Sequence, residues 1–333
     1  MEPPAANSYD NNEATVGVVS VPVPSDFRDL SLDHCSLGAL STESLSDPGV
    51  LSKYQLSVEQ VDRFWRDGYL SNVRVLSEEQ CEKILAEYEP FMDPGQLHPG
   101  HGLFYEFHRN QSGSPDNVLL HALGQWRISP AFHDLCFLPS IAIPASQLIH
   151  ESKKPTSIRL WHDQLFAKPP HHGGVVAWHQ DYSYWTRTKP ICHMTVHIAL
   201  DDQTVESGGL HFVPGSHRWQ RNGMPLPITD PKFGDMESIF SVLNDSEREG
   251  FKPVPSGLKR GEASFHHPLT VHGSFANKSA GPRRSTVVNY FADGVCSDSD
   301  EPMMNGVPPV AKGEKMAGQF FPLVFDPSCT QLT

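Results

Sequence analysis

Ala177-Trp178-His179-Gln180-Asp181 decides how the rest of this 333-residue chain is read. On an extended backbone, residues i and i+2 point to the same side, so the His179 imidazole and the Asp181 carboxylate can face one point. Two such donors and a distant second histidine make the facial triad of non-haem Fe(II) oxygenases. A lone His-x-Asp carries little weight in a chain with 18 His and 39 acidic residues, where the plain alternative is a polar loop. Its weight comes from what surrounds it.

Downstream, Cys192–Leu200 alternates. Met194, Val196, Ile198 and Leu200 form an apolar face, and His193, Thr195, His197 and Ala199 a mixed one. A sheet with one greasy face against helices and a mixed face inward suits a barrel around a polar pocket. Glu206-Ser-Gly-Gly-Leu-His-Phe-Val-Pro-Gly-Ser-His217 reads as turn, short strand, turn, with His217 structural. Strands resume at Glu262–Phe265. His266-His267-Pro268 then precedes Leu269-Thr270-Val271-His272-Gly273-Ser274, and Arg283 and Arg284 open a strand over Ser285–Phe291.

Upstream, Ser57/Gln60 and Ser77/Gln80 are capping boxes for two helices, with Gly68 ending the first and a strand over Tyr69–Val75 between them. Further helices are expected over Asn117–Gln125, Ser129–Phe137 and Ile141–Glu151, and a strand over Ile158–Lys168. His98, His101 and His108 lie in a Gly/Pro-rich loop and read as exposed or hydrogen-bonded histidines, as do His171 and His172; His162 has no companion at ligand spacing. Residues 1–50 read as a flexible arm docking locally through Phe27 and Leu30, and 51–333 as a single domain. Within it, 219–260, with one helix over Met236–Leu243, reads as an inserted lid or binding loop, and 295–333 as a C-terminal extension.

The net charge of −13 argues against a general nucleic-acid or anionic-membrane binder. No apolar run is long enough to span a membrane. Six scattered cysteines without a Cys-x-x-Cys fit reduced thiols. With no basic-then-apolar leader and a Gln-Leu-Thr ending in place of Ser-Lys-Leu, the expected location is intracellular, cytoplasmic rather than peroxisomal.

Taken in order, His179-Gln-Asp181, the Ser-Gly-Gly-Leu-His-Phe-Val-Pro-Gly-Ser-His run, and His272-Gly-Ser274-x-x-Asn277-Lys-Ser followed by Arg283 resemble the phytanoyl-CoA dioxygenase family over about residues 60 to 295. The resemblance implies a mainly β fold with flanking helices (α+β), built on a double-stranded β-helix of the jelly-roll, cupin-like kind. It implies Fe(II) on the catalytic triad His179, Asp181 and His272, with 2-oxoglutarate and O2 as co-substrates and ascorbate as a supporting reductant. Arg283, at the family spacing from His272, falls on the residue that binds the distal carboxylate of 2-oxoglutarate; a planar fork suits a carboxylate. Ser274 and Lys168 match positions near that co-substrate, and His197 stands where the family's namesake enzyme has a Trp beside it. The implied reaction is hydroxylation of an unactivated C–H in a small-molecule or acyl substrate, with release of succinate and CO2. Two rival readings are an inactive ligand-binding or regulatory module of the same fold and a cupin-type enzyme using another metal without 2-oxoglutarate.

Overall fold

Alternation along the central strands sorts the molecule into an apolar outside packed on helices and a polar inside. The computed structural model describes residues 22–93, 96–112, 118–171, 173–228 and 235–330. Residues 1–21 of the expected arm, Asn117, His172 and residues 229–234 of the insertion lie outside them.

Helices α1 (Pro48–Tyr54) and α2 (Val58–Asp67) lead to strand β1 (Tyr69–Arg74) and helix α3 (Glu78–Met92). Short strands β2 (Glu106–His108) and β3 (Leu120–Leu123) precede α4 (Pro130–Phe137) and α5 (Pro139–Leu148). The chain continues through β4 (Ile158–Lys168), β5 (Val176–His179), β6 (Thr188–Lys189), β7 (His193–Ala199), β8 (Leu210–Phe212) and α6 (Asp245–Gly250). It ends with β9 (Val254–Pro255), β10 (Glu262–His266), β11 (His272–Ser274), β12 (Arg283–Ala292), β13 (Cys296–Ser297) and β14 (Leu323–Phe325). No helix among the described residues is long and apolar enough to cross a membrane.

The large antiparallel sheet runs β1-β10-β7-β12-β4-β3-β2, with β14 also on β4; the small sheet runs β5-β11-β8-β9. This is the mainly β, jelly-roll arrangement with flanking helices. Cross-strand partners share a face. Arg283–Lys168, Ser285–Phe166, Val287–Gln164 and Asn289–His162 between β12 and β4, with Val287–His197 and Asn289–Thr195 between β12 and β7, therefore make one continuous inner face. The opposite face, with Met194, Val196, Ile198, Phe265 and Val288, joins one core with apolar residues of α4 and α5. Every residue of α5 is buried, as befits a helix apolar nearly all round.

Both capping boxes form. The Ser57 and Ser77 hydroxyls accept from the Gln60 and Gln80 N–H at 3.3 and 3.2 Å, and the two Gln side chains accept in return at 2.9 and 2.8 Å. Elsewhere the structure departs from the sequence reading. The described part of Asn117–Gln125 holds strand β3, because pairing with β4 overrides an apolar run that fits either period. In place of one helix over Met236–Leu243 there is a single 3-10 turn at Ser238–Ser241. Helix α6 starts only after Asn244, whose side chain accepts from the Glu247 N–H at 3.0 Å. From residue 22 the expected arm is built into the domain. Asp29 pairs with Arg127, and the Asp134 carboxylate accepts from the Leu37 and Leu40 N–H at 2.6 and 2.9 Å. Leu30 is buried and Phe27 packs against the main core.

Described residues of the insertion pack on the small sheet. Leu226, Ile239 and Leu243 join Trp178, Val213 and Val271 in a second buried cluster. Trp178, Val213 and Val271 alternate with His179, Phe212 and His272, so this cluster covers the outside of the small sheet. Trp178 is 4% exposed. Trp178→Ala is expected to lower stability by about 3–5 kcal/mol, read by chemical denaturation, since a large buried ring leaves a cavity.

Candidate metal and co-substrate site

His179 ends β5 and His272 opens β11, where the two are cross-strand partners. Gln180 is extended, with φ −114° and ψ 130°, so the i, i+2 geometry carries Asp181 to the side of His179. His179 Nδ1 donates to the Ala177 carbonyl at 2.8 Å, and His272 Nδ1 to the Thr270 carbonyl at 2.9 Å. These bonds place the ring protons on Nδ1 and leave both Nε2 lone pairs free. The two Nε2 atoms lie 3.4 and 3.5 Å from Asp181 Oδ1. The three donor atoms fall within 4.8 Å of one another, and all three residues are buried. Burial by itself would raise the Asp181 pKa, but the neighbouring His272 and His179 imidazoles and the His266 contact outweigh it and hold the group well below the usual carboxylate range. Burial lowers His272 well below the usual histidine value. One charged oxygen and two neutral imidazole nitrogens converging without a proton between them is a donor set that fits a divalent transition metal.

The other Asp181 oxygen is held by the large sheet. Thr195 Oγ1 donates to Oδ2 at 2.7 Å, and His266 Nε2 lies 3.0 Å from it. Neither contact was legible in the sequence; Thr195 read only as one residue of a mixed face. Thr195→Val is expected to weaken divalent-metal affinity about 10–100-fold, with Thr195→Ser restoring it, as measured by metal titration. Gln180 is a second residue the sequence did not single out. Its amide donates to the Trp219 and Leu269 carbonyls at 3.0 and 2.7 Å and accepts from the Leu226 N–H at 2.7 Å, tying the insertion to the site.

Arg283 and Lys168 are partners across β12 and β4, both on the inner face and both buried. Lys168 Nζ donates to Ser274 Oγ and to the Phe275 carbonyl, each at 2.7 Å. Arg283 spends Nη1 on Ser285 Oγ at 3.3 Å, whereas its Nε and Nη2 are buried without a protein partner. Burial lowers Arg283 to about 10, so it stays charged at neutral pH; burial and the Arg283 charge lower Lys168 well below its ordinary value. A buried guanidinium with an unused edge, beside an amine, is a cradle for a carboxylate. Arg284 points the other way, into a two-pronged pair with Asp201 at 2.9 and 2.8 Å. His197 is on the inner face between Val287 and Ser264 and bonds Gln203 through Nε2 at 3.1 Å. His217 packs against His267, away from the triad. His162, also on the inner face, contacts Asn289 Nδ2 rather than the triad, at 3.3 Å.

Among known proteins, a probable phytanoyl-CoA dioxygenase of Caenorhabditis elegans is 26% identical over 171 residues, 50% of this chain and 53% of the relative. This chain thus spans about half the length of that relative. Peroxisomal phytanoyl-CoA dioxygenase of Rattus norvegicus is 22% identical over 240 residues, 71% of this chain and 68% of the relative. Among solved structures, the epimerase SnoN in complex with Fe3+, alpha ketoglutarate and nogalamycin RO shares the fold with a TM-score of 0.63 at 24% identity, covering 84% of this chain and 100% of that one. Residues 64–285, which carry the triad, Lys168, Ser274 and Arg283, match the family described as Phytanoyl-CoA dioxygenase (PhyH), and the chain belongs to that family.

Proposed function

We propose that this protein is a non-haem Fe(II)/2-oxoglutarate-dependent dioxygenase that hydroxylates an unactivated C–H of a small-molecule or acyl substrate. The observation that supports this most is the pairing of two features on facing sheets. Three proton-free donors converge at His179, Asp181 and His272, and a buried arginine with an unused edge stands at the start of β12. When bound, Fe(II) with 2-oxoglutarate and O2 supplies oxidative decarboxylation, one oxygen atom ending in succinate and the other in the hydroxylated product.

The chain supplies position and charge. His179 and His272 present Nε2 because their Nδ1 protons are held by backbone carbonyls. Asp181 offers one oxygen because Thr195 and His266 occupy the other. Arg283 takes the far carboxylate of 2-oxoglutarate through its Nε–Nη2 edge, with Lys168 and Ser274 beside it and His197 on the neighbouring strand. Retention of the complete donor set and of the arginine favours an enzyme over a purely binding module. Incubation with Fe(II), 2-oxoglutarate, O2 and ascorbate over a metabolite panel is expected to give succinate, with the true substrate accelerating it. No 2-oxoglutarate consumption above the metal-free control with any candidate sinks the proposal.

A further inference from the structure

The inner face of the large sheet carries the Arg283 guanidinium and the Lys168 amine, but its far side carries a carboxylate and unpaired acceptors. Cross-strand pairing places His108 beside His121 and His121 beside Phe166, with Glu106 and Gln164 both opposite Leu123. Gln164 Oε1 can only accept, so His121 Nε2, 3.0 Å away, carries the ring proton and Nδ1 is a bare lone pair. Glu106 Oε2 lies 3.5 Å from His108 Nε2, so a carboxylate and an imidazole stand side by side at the outer end of this face. Asn289 Nδ2 donates to His162 Nδ1 at 3.3 Å, which turns its carbonyl oxygen free. His108 Nδ1, His121 Nδ1 and Asn289 Oδ1 are all buried without a protein partner.

Burial lowers His121 and His162 to about 4, so both are neutral at pH 7. Burial tends to raise the Glu106 pKa, but it is opposed first by the contact with His108, and the group lies below its ordinary value and is ionised at neutral pH. The Glu106 and His108 side chains are 45% and 22% exposed, whereas Asn289 is fully buried next to Thr195, the partner of Asp181. The wall therefore runs from the surface to the triad. An acyl chain laid along it would desolvate the His121 and Asn289 acceptors and a carboxylate and return no hydrogen bond.

We infer that the prime substrate is a small free molecule bearing a protonated amine, which meets Glu106 at the mouth and gives its remaining N–H or O–H donors to His121 and Asn289. The inference rests on the dioxygenase reading and concerns only what that site hydroxylates. The test uses protein loaded with Zn(II) and 2-oxoglutarate, with cadaverine and hexanoate as probes of similar length and opposite charge, and binding read by calorimetry or saturation-transfer NMR. The wild type should bind cadaverine at least about tenfold more tightly than hexanoate, and Glu106→Gln should lose that preference. Glu106→Asp, which keeps the charge, should retain part of it, and equal melting temperatures exclude a folding effect. Tighter binding of hexanoate, no binding of cadaverine to the wild type, or equal cadaverine affinity in Glu106→Gln each overturns the inference. Titration of 2-oxoglutarate into the Zn(II) protein reports separately on the dioxygenase reading; 2-oxoglutarate that binds without an amine preference defeats the substrate inference alone.

Discussion

His272→Ala is expected to abolish succinate formation and metal binding while the fold survives. His272 is one of three donors within 4.8 Å, and its Nε2 has no protein hydrogen to bond, because the proton sits on Nδ1 against the Thr270 carbonyl. Removing it takes away a third of the ligand set. Loss of a residue that only orients a ligand costs about 10–100-fold, so loss of a ligand itself should exceed about 100-fold in turnover. His179→Ala and Asp181→Ala should match it. Circular dichroism and a melting curve show whether the variants fold, and activity within about tenfold of wild type in any of them, at saturating Fe(II), contradicts the triad.

Arg283→Ala is expected to raise the 2-oxoglutarate KM by about 30-fold to several thousand-fold, the equivalent of about 2–5 kcal/mol for a buried charge-assisted pair. Arg283 is 2% exposed, and its free Nε and Nη2 have nothing else to do in the protein. Arg284, one residue on, is committed to Asp201 and Glu89 outside the barrel. Arg284→Ala should therefore change the KM less than about threefold and act on stability instead. If the two variants behave the other way round, the inward arginine has been misassigned.

The pair also shows how far sequence carries. His179 and Asp181 were legible because their relation is local, two residues apart on extended backbone. Whether Arg283 or Arg284 faces inward was not settled by pattern, since Ser285, Val287 and Asn289 are no more polar as a face than Thr286, Val288 and Tyr290. The resemblance, through the family's spacing from His272, pointed to Arg283, and β12 pairs Arg283 with Lys168. The Thr195 and His266 contacts to Asp181 join the two sheets across long sequence separations, which no periodicity reports. Strand β3 was misread because its apolar residues fit both helical and extended periods, and only β4 decides between them. What the insertion covers was not legible, because its proline content speaks of irregular backbone, not of its partners; Trp178 and Gln180, which anchor its described residues, lie outside the segment.

One measurement bears on all of this at once. Under anaerobic conditions, 2-oxoglutarate is titrated into the Fe(II)-loaded protein while the visible charge-transfer absorption of an Fe(II)–2-oxo acid chelate is followed. The account predicts a saturable band at one equivalent of metal per chain, shifted to much higher 2-oxoglutarate concentration in Arg283→Ala and missing in Asp181→Ala. No band in the wild type, or the same band in Asp181→Ala, contradicts it.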